Sequence, residues 1–158
     1  MTTLPNLPQQ LMSHFSQIKT LLRDRQCLVA ALNELNLPPQ TYDKPKQLEG
    51  FYGKQDDYSA EIIVPGTTIN AKADIGFKWN QAAQGFEIIY DSYETNPRLG
   101  TKFFTHKLMQ AYSNQVIRAK AEELQERLGN CTIVESTQGS VQTLRLTFAA
   151  HQHQQPRR

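Results

Sequence analysis

The sequence predicts an α+β domain: a mainly antiparallel sheet of about six or seven strands with two helices packed on one of its faces. Three observations carry this. Apolar and polar residues alternate with a period of two in successive short runs between residues 48 and 90. Two other stretches place apolar residues at helical spacing. Prolines and glycines separate these segments, giving the order β-α-β-β-β-β-α-β-β.

Met1–Leu11 carries Pro5 and Pro8 and shows no period, so it reads as a flexible lead. In the next stretch Ile18, Thr20 and Leu22 alternate with Gln17, Lys19, Leu21 and Arg23, as in a half-buried strand with Lys19 facing out. Phe15, Ile18 and Leu22 also fit helical spacing, so a helix competes with the strand there. Asp24 is a good N-cap. Leu28, Ala31, Leu32 and Leu35 then mark one face of a helix that Pro38-Pro39 closes. Gln40–Lys46 is polar, contains another proline and reads as a loop.

Leu48–Gly53 reads as a short strand whose glycines mark bends or close approach. Tyr58–Val64 sets Ala60, Ile62 and Val64 on one face, and Pro65-Gly66 turns the chain. Asp74–Trp79 sets Ile75, Phe77 and Trp79 on one face. After a turn at Gln81–Gly85, Phe86, Ile88 and Tyr90 repeat the alternation. These strands are expected to be antiparallel with one face wet. Asn96-Pro97 breaks the pattern. A long helix is expected from about Thr101 to Leu128, ended by Gly129-Asn130, with Phe104, Leu108, Ala111, Ile117, Ala121, Leu124 and Leu128 as its buried stripe. A last hairpin pairs Thr132–Ser136 with Val141–Phe148 around Gln138-Gly139-Ser140, turning Leu144, Leu146 and Phe148 to the core. Residues 12–148 thus form one domain, and Ala149–Arg158, rich in Gln and His, reads as a disordered tail.

Composition limits the function. A chain of 158 residues, 39% hydrophobic and 20% charged, can bury a substantial core. Its formal net charge of +2 does not by itself imply nucleic acid. No apolar run approaches the roughly 20 residues of a membrane span, and Met1–Leu11 lacks the pattern of a signal peptide. Cys27 and Cys131 make no metal motif and are expected to be reduced and unpaired, which suits a cytoplasmic setting. No cofactor is expected.

Candidate chemistry is thin. Ser13, His14 and Ser16 cluster at the start of the first strand, and with Asp74 they outline a small pocket that an enzyme could use. Neighbouring Ser and His at a strand start also simply satisfy backbone groups. No nucleophile-elbow glycines surround the serines, and GFYG and GTT lack the spacing of a phosphate loop. Asp74 reads either as a ligand-orienting group or as a turn carboxylate. Gly76, inside a strand, implies a bulge or close approach by a neighbour. His14, His106, Asp74 and Asp91 are scattered, so no metal site is expected.

The clearest oddity is charge on the long helix. Arg98, Lys102, Lys107, Arg118 and Lys120 occupy a span with no acidic residue, and Glu122, Glu123 and Glu126 crowd the far end. This order opposes the helix dipole, which favours acids first and bases last. A surface kept basic for an acidic partner explains it; so does a solvated face with local pairs such as Lys120 with Glu123.

MSHFSQIKT, then ALNELNL, GFYG, AEIIV and DIGFKW in that order, resemble the hypothetical chloroplast reading-frame family, a domain of unknown function shared by cyanobacteria and some algal plastids. The likeness runs from about Met12 to Phe148. The lead, the DSYETNPRLG connection and the Gln-rich tail depart from it, and the last hairpin matches only in pattern. The resemblance implies a small soluble protein of a photosynthetic cell or plastid stroma, and it brings no catalytic residues. The expectation is therefore a non-catalytic accessory or adaptor protein that binds an acidic partner protein through the basic helix face or an open sheet edge. The alternatives are a nucleic-acid binder using the same basic residues and a small-pocket enzyme near His14.

Overall fold

The structure, a computed structural model, describes residues 13–129, 131–138 and 141–148. The expected lead, tail and tip of the last hairpin lie outside the described residues, as do the side chains of Cys131, Leu144, Leu146 and Phe148. The strands are β1 (Phe15–Lys19), β2 (Gln40–Gly50), β3 (Gly53–Val64), β4 (Ile75–Asn80), β5 (Gly85–Asp91), β6 (Cys131–Gln138) and β7 (Val141–Phe148). The α-helices are α1 (Arg25–Glu34), α2 (Ser92–Leu99) and α3 (Leu108–Leu128). A 3-10 turn covers Gly66–Ile69, and a π turn covers Phe103–Lys107.

The α+β class holds, and its sheet is divided. Five strands pair antiparallel in the order β1-β5-β4-β3-β2, while among the described residues β6 and β7 pair only with each other. Leu146 of β7, expected in the main sheet, therefore belongs to the separate hairpin, opposite Ile133.

The first segment is the strand and not the competing helix. It stops at Lys19 because Thr20 replaces the ladder: its Oγ1 donates to the Phe86 carbonyl at 2.7 Å and accepts the Leu22 amide at 3.0 Å. Asp24 caps α1 as expected, its Oδ1 accepting the Cys27 amide at 2.9 Å. The helix ends before Pro38. Asn36 turns left-handed (φ 62°), its amide donates to the Asn33 carbonyl, and the Leu37 amide reaches back to Leu32 at 2.8 Å. These two bonds form a Schellman motif and satisfy carbonyls the helix end would orphan.

Gln40–Lys46, expected as a loop, is the outer half of β2. It is an edge strand, mostly exposed, so no apolar period marks it. Its register jumps between Thr41 and Lys46, and Pro45 lies in that irregular stretch, where a missing N–H breaks no ladder bond. Leu48–Gly53 is likewise not one strand but a hairpin, with Gly50 opposite Gly53 and Phe51-Tyr52 at the tip. The left-handed step falls on Gly53 (φ 104°).

The helix-side core matches the alternation. Ile62, Val64, Ile75, Phe77, Phe86 and Ile88 pack beneath Leu28, Ala31, Leu32, Phe104, Leu108 and Ala111. Burying Phe77 completely contributes on the order of 1.5–3 kcal/mol. Tyr112 of α3 anchors the start of α1, its hydroxyl accepting the Arg23 and Asp24 amides at 2.9 Å each. Farther along α3 the stripe weakens: Ala121 is buried, Ile117 and Leu124 are half-buried and Leu128 is exposed.

The opposite face is not wet. Phe15, Leu48, Ala60, Ile63, Ala73 and Ile89 form a second cluster there, with Tyr42 and Tyr58 against it. The β3–β4 ladder ends at Ile62 and Phe77. Beyond it the Trp79 amide donates to Glu61 Oε1 at 3.1 Å, a side chain in place of a strand. The remainder of β3 pairs with β2 alone and brings Ala60, expected beside Ile62, to the second face. Leu48 and Ala60 there lie directly over Gly76, the close approach its position in a strand implied.

The expected break at Asn96-Pro97 is instead α2. Asp91 caps it through the Tyr93 amide at 2.9 Å, Pro97 lies inside, and Gly100 (φ 96°) ends it. The long helix is interrupted too. It opens with the π turn, whose wider loop lets adjacent Phe103 and Phe104 both be buried.

Candidate functional site

The pocket outlined by Ser13, His14, Ser16 and Asp74 separates into three places. Ser13 and His14 line a cavity of about 200 Å³ with Phe15, Gly50, Phe51, Tyr52, Tyr58 and Asp91. Ser16 pairs with Tyr90 in β1 and points to the helix side, with Ile18. Asp74 borders a neighbouring cavity of about 390 Å³ beside Glu49, Thr67 and Lys72; Gly50 and Phe51 line both cavities.

Asp74 is committed to the fold. Its Oδ2 accepts the Glu49 amide and its Oδ1 the Gly66 amide, each at 2.9 Å, while its own amide donates to the Glu49 carbonyl at 2.8 Å. One carboxylate thus closes the β2 edge onto the turn after β3, which is the turn-carboxylate role. A Cβ on Gly66 would stand 2.6 Å from the Ala73 carbonyl oxygen, so the two segments meet only because residue 66 is glycine.

Asp91, expected to lie scattered from His14, lines the same cavity. It is 1% exposed. Burial pushes its carboxyl above the ordinary value, and the Glu94 charge adds to the rise; the Tyr93 and Glu94 amides and His14 oppose it. Asp91-x-x-Glu94 has the spacing of a capping box, the sequence signal that could have revealed both α2 and this acid. Glu94 does not close the box. Its Oε1 accepts the Lys72 amide at 2.6 Å and ties α2 to the loop before β4.

The basic residues are similarly unequal. Arg98 donates from Nε to the Asn70 carbonyl at 2.9 Å and from Nη1 to the Glu94 carbonyl at 2.7 Å, so it holds α2 to the 3-10 turn. Lys102 precedes the π turn and Lys107 ends it; both are exposed, and among the described residues no carboxylate holds either ammonium. Arg118 is half-buried. Lys120 lies 3.4 Å from Glu123, which Arg127 also approaches at 3.6 Å, so the local pair foreseen at i, i+3 is present. Lys120 also borders an open groove of about 470 Å³ between α3 and the β1–α1 connection, lined by Leu21, Arg23, Cys27, Tyr112 and Val116 among others. Leu21 is 74% exposed and Val116 39%.

Cys27 is a free, buried thiol; burial pushes its pKa up, and the Asp24 carboxylate pushes it further. Among the described residues no three His, Cys, Asp or Glu side chains gather as a metal site, and no helix is long and apolar enough to cross a membrane.

Residues 31–147 match the family described as "Protein of unknown function (DUF1257)". The chain belongs to that family. It is also 33% identical over 112 residues to the "Uncharacterized protein ycf35" of Guillardia theta, covering 71% of this chain and 80% of that protein. The resemblance to the chloroplast reading-frame family is thus shown. No solved structure matches.

Proposed function

We propose that this DUF1257 protein is a non-catalytic accessory or adaptor protein of the cytoplasm or plastid stroma, docking an acidic partner protein on the basic side of the π turn and α3. One observation supports it most: Lys102 and Lys107 stand exposed where no described carboxylate neutralises them. The groove beside Lys120, with Leu21 and Val116 at its surface, adds apolar area to the same helix. Lys107 and Arg118 lie eleven residues apart, about three turns and roughly 16 Å along the helix, so they fall near one line. Arg98 is exposed as well, but its guanidinium already donates to the Asn70 and Glu94 carbonyls, so the docking surface rests on the lysines. A sheet edge is the poorer docking place: β1 has five residues, and β2 carries a proline and register shifts.

The test replaces Lys102 and Lys107 with Gln, then adds Arg118→Gln. The double variant should melt like the wild type, since exposed charges contribute little to stability. It should associate more slowly with the native partner captured from cell extract, because complementary charge steers encounter. Unchanged partners at an unchanged association rate in low salt would overturn the reading. A steep salt slope on single-stranded nucleic acid, lost in the variant, would replace it with the nucleic-acid alternative.

A further inference from the structure

The His14 cavity is independent of that basic surface, and its chemistry is of the opposite sign. Two aromatic pairs contribute to its walls. Phe15 and Tyr58 meet at 5.1 Å between centroids with planes tilted 59°, and Phe51 and Tyr52 at 4.9 Å, edge to face at 77°. The first pair belongs to the second core. The second sits at the exposed β2–β3 tip, where Phe51 is 37% exposed and Tyr52 58%. Aromatic faces carry negative potential and attract cations. The Phe51 ring already does so on behalf of the neighbouring loop, with Lys72 Nζ 5.0 Å from its centroid.

Asp91 supplies the acid, and a cation beside it favours its charged form. Its carboxylate stands in the cavity wall almost wholly out of solvent, where charge is poorly screened and acts strongly on whatever enters. Among the described residues no Lys or Arg forms an ion pair with it. Its carboxylate accepts the Tyr93 amide at 2.9 Å and also the Glu94 amide; with about four acceptor sites, a carboxylate keeps lone pairs for a further donor. A buried carboxylate bordered by four aromatic rings favours one class of ligand. The volume, about 200 Å³, falls below the roughly 300–1,000 Å³ of sites for drug-sized molecules, so it suits a head group and not a whole cofactor.

We infer that this cavity binds the N–H-bearing head of an organic cation, a primary alkylammonium or a guanidinium, with Asp91 as counter-ion and Phe15, Phe51, Tyr52 and Tyr58 as walls. The head can come from a free basic metabolite or from a Lys or Arg side chain of a partner. Both present the same chemistry to the cavity, whose lining Ser13, His14 and Gly50 complete.

The test follows backbone amide shifts of the whole chain by NMR while methylguanidine, butylammonium and, as the neutral control, butanol are added. Both cations should give saturable shifts centred on Ser13, His14, Gly50–Tyr52 and Asp91, and butanol should not. Asp91→Asn keeps a good N-cap and nearly the same volume, so it folds and should weaken cation binding at least tenfold. Tyr52→Ala, at the exposed tip, should weaken it severalfold, while Lys102→Gln should leave it unchanged. A blocked tripeptide Gly-Arg-Gly separates the sources. Binding tighter than methylguanidine points to a protein side chain, and failure to bind beside bound methylguanidine points to a free metabolite. No saturable shift with either cation, equal response to butanol, or undiminished binding to Asp91→Asn would overturn the inference.

Discussion

Gly76→Ala isolates the contact that creates the second core. A Cβ at this position would lie 2.8 Å from Leu48 Cδ1, 2.9 Å from Ala60 Cβ and 3.0 Å from Leu48 Cδ2. Ordinary carbon contacts begin near 3.5 Å, so the nearest overlap is about 0.7 Å. Leu48 and Ala60 are both fully buried, and neither has an open direction in which to retreat. Overpacking of this kind costs typically ~1–3 kcal/mol, which for a chain of this size lowers Tm by roughly 2–12 °C. Urea denaturation should show the loss as a shifted midpoint with an unchanged slope. The decisive measurement is a double-mutant cycle with Leu48→Ala. That change alone should cost ~2–5 kcal/mol as a cavity, but in the Gly76→Ala background it also removes the clash. The double variant should therefore be more stable than the sum of the two losses by ~1 kcal/mol or more. Additivity within ~0.5 kcal/mol, or an unchanged midpoint for Gly76→Ala, would show that the β2–β3 arm does not press on β4 as described.

Three further outcomes follow from single groups. The folded pKa of Asp91 lies above its ordinary value near 3.8, so stability should fall as pH rises from that value through the folded pKa, and Asp91→Asn should lack the fall when denaturant midpoints are compared between about pH 3.5 and 7. Thr95 Oγ1 is buried with no partner among the described residues, so Thr95→Val should raise stability by ~1 kcal/mol in the same assay, because an unsatisfied hydroxyl is removed; a loss would mean that the hydroxyl has a partner. Thiol labelling of denatured, unreduced protein should find both cysteines free, and in the native state Cys27 should lag because it is buried and its thiolate disfavoured; finding no free thiol after denaturation would refute this.

What the sequence made legible was whatever one buried face imposes on one segment. Ile62 and Val64, Ile75 and Phe77, and Phe86 and Ile88 alternate because each pair faces the helices. Leu28, Ala31 and Leu32 repeat at helical spacing for the same reason. Elements held by other means left no such trace. The outer half of β2 is an exposed edge defined by backbone bonds, so its side chains are free to be polar and to include Pro45. The second core depends on where β3 leaves β4, and no local pattern around Ala60 encodes that departure. The candidate sites follow the same rule. His14 and Asp74 were visible as chemically suggestive residues, but the partners of His14 come from β2, β3 and the end of β5, dozens of residues away. Asp74 meets two backbone amides, a role that residue type alone does not distinguish from ligand binding.

The π turn connects the misread helix to its charge. Consecutive residues of an α-helix point about 100° apart, so a regular helix through residues 103–108 would turn one of the two phenylalanines away from the core. Both are 5% exposed, packed edge to face at 5.2 Å, with Phe104 also 4.5 Å from the Tyr90 ring. The wide turn, closed by the Leu108 amide on the Phe103 carbonyl, absorbs one extra residue and lets Leu108 and Ala111 resume the buried stripe below them. The extra residue must project outward, and Thr105, His106 and Lys107 are all exposed. A π turn is less favourable than a regular helix and is retained where something compensates it. Here two buried rings provide that compensation on the inside. On the outside the same distortion presents Lys102 and Lys107 at either end of one short projecting segment, ahead of any acidic residue of α3. The exposed charge and the paired phenylalanines are thus two sides of one local geometry, and a partner reading this surface would be reading the register that the core sets.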